Sequence, residues 1–202
     1  FYRTPTNLYH SRLVKCITQK CPTIFCLLMR RNPTMEVLSM PNPFISETYE
    51  PPKIFNDKYF HFRVLEDEIA ELDYEAVMSS QKRLQGIFGS GFEWPRSDMT
   101  LEESAASLKV HKQEFESRQA FAYSVFNKSK NKCLGSVYID PSDSPHFQCV
   151  VHLWIRNDSI ELDNELFQTV RKWLSEEWHF SKAAFPGRCI SWEDWADELK
   201  FV

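Results

Sequence analysis

Few side chains in this sequence combine reactivity with a position from which chemistry could be done. His152 stands in the middle of an apolar run, Val150-Val-His-Leu-Trp-Ile155, and an imidazole is the side chain best suited to moving protons near neutral pH. On strand alternation it shares a face with Val150 and Trp154, so it reads equally as a packed or hydrogen-bonded core histidine. Tyr138 and Asp140 end a second apolar run, Cys133-Leu-Gly-Ser-Val-Tyr-Ile139. A phenol and a carboxylate there can act as acid or base if the next loop carries them to a cleft, although Asp140-Pro141 also reads as plain turn chemistry. Glu93 and Trp94 sit in a loop between two expected helices, either as pocket residues or as a solvated loop with one apolar anchor. His111, Glu114 and Glu116 read as the wet face of a helix. No Gly-x-Ser-x-Gly elbow, phosphate-binding P-loop, zinc pattern or Rossmann fingerprint occurs.

Bulk properties narrow the setting in which these groups work. A chain of 202 residues, 43 % of them hydrophobic, can bury one ordinary core. The formal charge of −4 is unevenly spread, because residues 1–34 hold six basic side chains (Arg3, Arg12, Lys15, Lys20, Arg30, Arg31) and no acidic ones. Residues 35–202 therefore carry 18 Lys and Arg against 28 Asp and Glu, a net charge of −10. A body this acidic repels a phosphate backbone, which argues against nucleic acid as a partner and favours cationic amines or basic peptides. The longest apolar run, Thr23–Met29, falls far short of the roughly 20 residues of a membrane-spanning helix, so no membrane association is expected. Six cysteines (Cys16, Cys21, Cys26, Cys133, Cys149, Cys189) include no C-x-x-C pair. They read as free thiols, buried where the surrounding pattern is apolar, in a reducing, cytoplasmic compartment, with no metal site.

Residues 1–56 form a basic and then proline-rich extension, with Pro41, Pro43, Pro51 and Pro52 disfavouring helix and central strand. Its first 34 residues admit three readings: a transit peptide, a disordered arm, or translated sequence ahead of a start at Met35 or Met40. The folded domain is expected over 57–202. Tyr59–Leu65 alternates, with Phe60, Phe62 and Val64 on one face of a strand. A helix follows with Leu72, Ala76, Leu84 and Ile87 on its apolar face, ending at the glycines Gly86, Gly89 and Gly91. Thr100-Leu-Glu-Glu103 has the form of a capping box and opens a second helix with Leu101, Ala105, Leu108 and Phe115 inward. Strands at Phe121–Val125 and Cys133–Ile139 make a hairpin about the polar turn Asn127–Asn131, and Val150–Ile155 is the next strand. A long amphipathic helix then places Leu162, Leu166, Val170, Trp173 or Leu174, and Trp178 inward. A short strand at Ser181–Phe185 and a terminal helix capped by Ser191 close the chain.

The order strand, helix, helix, hairpin, strand, long helix resembles the GNAT superfamily of N-acetyltransferases. So does the wording of Leu72–Met78, Phe121–Val125, Cys133–Asp143, Val151–Arg156, Glu165–Phe167 and Trp173-Leu174, which looks like a bacterial group of such enzymes from Phe60 to Trp195 with gaps. The resemblance implies an α/β (α+β) fold, a mixed, mostly antiparallel twisted sheet flanked by helices on both faces. It implies transfer of an acetyl group from acetyl-CoA to a small amine or peptide amine by direct attack. By position, Leu153, Trp154 and Ile155 would face the pantetheine arm, and the loop from Arg156 to Asp163, with Arg156, Asn157 and Ser159 foremost, would wrap the pyrophosphate. His152, Tyr138 and Asp140 become the candidates for base and acid, and Glu93 and Trp94 would shape the acceptor pocket. Two departures stand out. No glycine occurs between Gly135 and Gly187, so the loop lacks the residues that let backbone approach a phosphate, and no tyrosine follows Tyr138 to supply the usual general acid. The loop then reads alternatively as a cap, with Asp158 or Ser159 at the start of the long helix. The whole domain reads alternatively as a catalytically degenerate interaction or ligand-binding module, possible as a homodimer, in which the aromatic C-terminus (Trp173, Trp178, Trp192, Trp195) packs on a partner.

Overall fold

Alternation in the segment after Tyr59 becomes a strand, β2 (Phe60–Val64), whose apolar residues all turn to one face. The computed structural model describes residues 44–201; the readings of residues 1–34 and the thiols Cys16, Cys21 and Cys26 lie outside them. Among the described residues a six-stranded sheet runs in chain order: β1 (Ile54–Asn56), β2, β3 (Phe121–Asn127), β4 (Cys133–Pro141), β5 (Cys149–Ile155) and β6 (Ala183–Ala184). All neighbours are antiparallel except β5 and β6, which are parallel. Helices α1 (Ala70–Ser79), α2 (Gln81–Leu84) and α3 (Leu101–Glu116) follow β2. Helix α4 (Asp163–Glu176) crosses from β5 to β6, and α5 (Trp192–Glu198) ends the chain. No helix among the described residues is long and apolar enough to cross a membrane.

The core lies between the sheet and α4. Phe60, Phe62, Tyr123, Val125, Val137, Ile139, Val151, Leu153 and Ile155 meet Leu166, Val170, Trp173 and Leu174 there. Trp173 is its hub, stacked on Phe55 at 4.6 Å and meeting Tyr123 edge-on at 5.0 Å. Such pairs add about 0.5–1.5 kcal/mol each beyond the apolar area they bury. Three of the four C-terminal tryptophans expected to meet a partner, Trp173, Trp178 and Trp195, are buried within the chain itself, and Trp192 is half-buried.

The N-terminal boundary falls earlier than proline content suggests. Ile45 is buried, Phe44 stacks between Phe121 and Phe180 at 5.7 Å from each, and β1 pairs with β2 from Ile54 to Asn56. Arg118, at a positive φ of 61°, donates to the carbonyls of Ser46 and Tyr49, and the Tyr123 hydroxyl donates to that of Pro52. A proline-rich strap tolerates this because Arg118, in the turn after α3, and Tyr123 on β3 satisfy carbonyls that its own backbone does not. The contacts assign Phe44–Asn56 to the domain.

On the other face the register of α1 differs from the expected one. Ala70, Asp73, Ala76 and Val77 are buried while Leu72 is 40 % exposed. At Ser80 α1 gives way to α2, and Leu84 returns to the core as part of a separate turn. The capping box at α3 forms in both directions, Glu103 N to the Thr100 hydroxyl at 3.2 Å and Thr100 N to the Glu103 carboxylate at 3.0 Å. The Ser191 cap of α5 also forms, at 3.0 Å from Asp194 N.

Asp73 is only 4 % exposed, and its carboxylate accepts a bond from the Ser136 hydroxyl at 3.4 Å on β4. Burial pushes its pKa up to about 6. Because the folded pKa exceeds the unfolded one, the native state holds this proton more tightly, and the penalty of charging the buried group is absent below pH 4 and complete above pH 6. The shift from 3.8 to about 6 corresponds to a penalty of about 3 kcal/mol at neutral pH. Asp73→Asn is accordingly expected to raise the unfolding free energy at pH 8 by an amount of that order and to leave it unchanged at pH 4, as measured by urea titration at the two values.

Candidate functional site

The parallel pairing of β5 with β6 covers only Cys149 and Val150. From Val151 to Ile155 the strand edge has no neighbouring strand among the described residues, because Phe185 leads straight into Pro186-Gly187 and the chain turns off. Antiparallel alternation directs the N–H and C=O of Val151, Leu153 and Ile155 toward this edge. Gly187, at φ +77°, makes the turn, and a Cβ there would lie 2.9 Å from the Trp192 indole nitrogen, so glycine alone lets Trp192 close over the gap. The result is a cavity of about 310 Å³ lined by Arg83, Gln85, Gly86 and Ile87 from the end of α2, by Val151, His152 and Leu153, by Ile160 and Asp163, and by Pro186, Gly187, Arg188 and Trp192. That is near the lower end of the roughly 300–1,000 Å³ of ligand pockets.

His152 is the chemically distinctive group of this cavity. It is 3 % exposed, neither ring nitrogen has a hydrogen-bond partner among the described residues, and Phe88 (5.3 Å, edge-on) and Trp192 (6.0 Å, parallel) flank its ring. Burial pushes its pKa down to about 4, so it is neutral throughout the physiological range. An apolar cage around an unpaired imidazole costs stability.

The other candidates fare differently. Tyr138 is the cross-strand neighbour of His152 and shares its face, but it is buried beneath Phe88 and His111, beside Ser136 and Trp154, and does not line the cavity. Burial raises its pKa, which suits a structural hydroxyl more than an acid. Asp140, opposite Val150, is partly buried and also outside the lining. Trp94 packs on Phe88 at 5.2 Å and Trp154 at 6.3 Å, one ring away from His152, while Glu93 is exposed. Leu153 borders the cavity; Trp154 and Ile155 are fully enclosed and bound it from behind.

The loop after β5 is closed on itself. Arg156 is 5 % exposed and its guanidinium makes four bonds: two of 2.7 Å to Glu75, one of 2.7 Å to Asp158 and one of 3.2 Å to the Cys133 carbonyl. Asn157 N–H donates to the Ser80 hydroxyl at 3.0 Å and Ser159 N–H to the Arg156 carbonyl at 3.2 Å. Residues Asn157–Leu162 form a 3-10 turn, and α4 begins behind it with Leu162 at its N-cap and no side-chain cap. The cap expected from Asp158 or Ser159 is therefore not made: Asp158 is held by Arg156 and Lys132, and the Ser159 hydroxyl donates to Asp158. No pyrophosphate cradle of free amides exists at Asn157 and Ser159, and Arg156 can reach a phosphate only by abandoning Glu75.

Two arginines that the sequence reading passed over stand at this end of the cavity. Arg83 donates to the Ile155 carbonyl and to the Asn157 side chain. Arg188 grips Asp163 through two bonds of 2.7 and 2.8 Å and donates to the Leu153 carbonyl at 3.3 Å. The one local signal was Pro186-Gly187, a turn that fixes where Arg188 points. Cys133 and Cys149 are buried and Cys189 is exposed, all three free; the described residues contain no cluster able to hold a metal. The residues thus fit a slim arm along the β5 edge and an anion at the arginines, but not the usual amide loop.

No protein-family model matches the chain, and no curated protein matches it. Solved structures do. A protein from Vibrio cholerae assigned as a ribosomal-protein-serine acetyltransferase superposes with a TM-score of 0.55 over 73 % of this chain and 80 % of its own, at 14 % identity. The ribosomal-protein-S5-alanine acetyltransferase of Vibrio fischeri gives 0.52 over the same shares at 17 % identity. At such identity the likeness speaks for architecture alone: the chain has the GNAT-type acetyltransferase fold.

Proposed function

We propose that the protein is an acyltransferase of GNAT type that moves an acetyl or related acyl group from an acyl-CoA to an amine. The observation that carries this reading is the Val151–Ile155 edge, without a partner strand among the described residues, beside a cavity with a buried, unpartnered imidazole in its wall. When bound, an acyl-CoA supplies an activated thioester carbonyl. The amine nitrogen forms its bond to that carbonyl carbon as the carbon–sulfur bond breaks, the amine loses a proton and the departing sulfur needs one. Neutral His152 offers a lone pair to the acceptor N–H, takes its proton as attack proceeds, and is the group from which the sulfur can recover one. Val151 and Leu153 orient the arm, while Ile87, Ile160 and Trp192 exclude water. The acidic body favours a cationic amine or basic peptide acceptor over nucleic acid, and buried Cys133 and Cys149 without a disulfide fit a cytoplasmic setting.

Calorimetry with acetyl-CoA tests the reading: saturable binding below about 1 mM, near the upper end of ordinary KM values, is expected, and no heat and no thermal shift at several millimolar would refute it. One observation favours a second reading, a ligand-binding module without turnover. Arg188 already occupies the Leu153 carbonyl and the Asn157 and Ser159 amides are engaged, so a coenzyme that binds there must displace contacts. Binding without transfer to any of a panel of polyamines and basic peptides would select it.

A further inference from the structure

We propose that Arg83 and Arg188 form a phosphate clamp at the mouth of the cavity, gripping the phosphate end of a ligand whose slim arm lies along Val151–Ile155. The clamp rests on the acyl-CoA reading and moves its anion site to residues outside the loop where the GNAT resemblance put it. Three observations support the assignment. First, the loop residues where an anion was expected are engaged: the Asn157 and Ser159 amides are spent on Ser80 and on the Arg156 carbonyl, and Arg156 is held by Glu75 and Asp158. Second, the two guanidiniums hold consecutive edge carbonyls of one strand, Leu153 and Ile155. Carbonyls two residues apart lie about 7 Å apart along a strand, a separation that a diphosphate bridges. They face a single carboxylate, Asp163, so the mouth is left net positive, and N–H groups of both arginines beyond those named remain for a ligand. Third, His152, buried and unpartnered, lines the same cavity as both arginines. A phosphate at the mouth would take over the bond that Arg188 now gives to Leu153, returning that carbonyl to the arm.

The test compares three probes by calorimetry: CoA, pantetheine, which keeps the arm and lacks phosphate, and inorganic pyrophosphate, which is phosphate alone. The proteins are the parent, Arg83→Gln, Arg188→Gln and Asp163→Asn, each checked for a native circular dichroism spectrum. The clamp predicts that the parent binds CoA at least about tenfold more tightly than pantetheine, that each arginine substitution weakens CoA and pyrophosphate by about tenfold, the order expected for a charge-assisted contact, and that pantetheine is unaffected. Asp163→Asn, which frees Arg188 and removes a repelling charge, is expected to tighten pyrophosphate. CoA binding undiminished in both arginine variants overturns the clamp and leaves the acyltransferase reading standing. Pyrophosphate binding that depends on both arginines, with no CoA binding, retains the clamp and removes the acyl-CoA reading. Failure of all three probes overturns the clamp. If Arg188→Gln does not fold, Arg83→Gln and Asp163→Asn decide the matter alone.

Discussion

Gly135→Ala is expected to destabilise the domain by about 3 kcal/mol or more, a large part of the roughly 5–15 kcal/mol that holds a domain together. A Cβ at this position would lie 2.0 Å from the Trp154 carbonyl oxygen and 3.0 Å from the Ile155 Cα. The obstruction is backbone on both counts, so no rotamer change relieves it, and β4 must part from β5 where Gly135 pairs with Ile155. The strain cannot be passed to the other neighbour easily, because Val125, opposite Gly135 on β3, already adjoins a register shift. Urea unfolding of the two proteins measures the loss. Thermal shift with acetyl-CoA on whatever fraction folds should show weaker binding too, since the parted strands carry the Trp154–Ile155 end of the candidate cleft.

The second large effect is expected at His152, and it separates stability from activity. The imidazole is neutral in the folded protein, with a pKa near 4, and regains its ordinary value near 6.5 on unfolding. The unfolded state therefore binds the extra proton first. Stability contributed by this difference is intact above pH 6.5 and is lost as pH falls toward 4, by about 3 kcal/mol in total. His152→Phe keeps an aromatic ring between Phe88 and Trp192 and removes both unpaired nitrogens. It is expected to raise stability at pH 5, to do less at pH 8, and to cost acyl transfer about 100-fold or more, the usual contribution of a general base. Urea titration at the two pH values reads the first effect, single-turnover transfer the second. A variant that is stabilised at pH 5 yet transfers as well as the parent would return His152 to the role of a core residue. Asp73 has the opposite pH dependence, losing stability as pH rises from 4 to 6, so the parent is expected to show a flatter acid profile than either single variant.

Local chemistry was readable from the sequence where it was self-contained. The Thr100–Glu103 box, the Ser191 cap, the hairpin around Asn127–Asn131 and the inward stripe Leu166, Val170, Trp173 of α4 each depend on residues within one or two turns of each other. The strap at Phe44–Asn56 was not, because its prolines describe what its backbone cannot do by itself, whereas Arg118 and Tyr123, some seventy positions away, supply its bonds. Leu72 misled for a similar reason: the helix turns its face to admit Asp73 beneath Ser136, a polar contact that hydrophobic periodicity does not register. In the site, the strand around His152 was legible as a pattern, and the absence of glycine pointed to the loop that the structure shows bonded to itself. The two arginines beside the cavity were not legible. Lys82-Arg83 looks like any exposed basic pair, and Arg188 acquires its place only when Gly187 folds the tail over β5.

Trp192 gives the cavity an optical handle of its own. Its indole lies half-buried against Gly187 and parallel to His152, and of the six tryptophans it alone lines the cavity; Trp154, Trp173, Trp178 and Trp195 are sealed in the interior, and half-buried Trp94 packs on Phe88 outside the lining. An occupant that displaces water from this wall changes the polarity around Trp192 directly, so steady-state emission, read against a Trp94→Phe background, can follow occupancy of an otherwise silent pocket without any label.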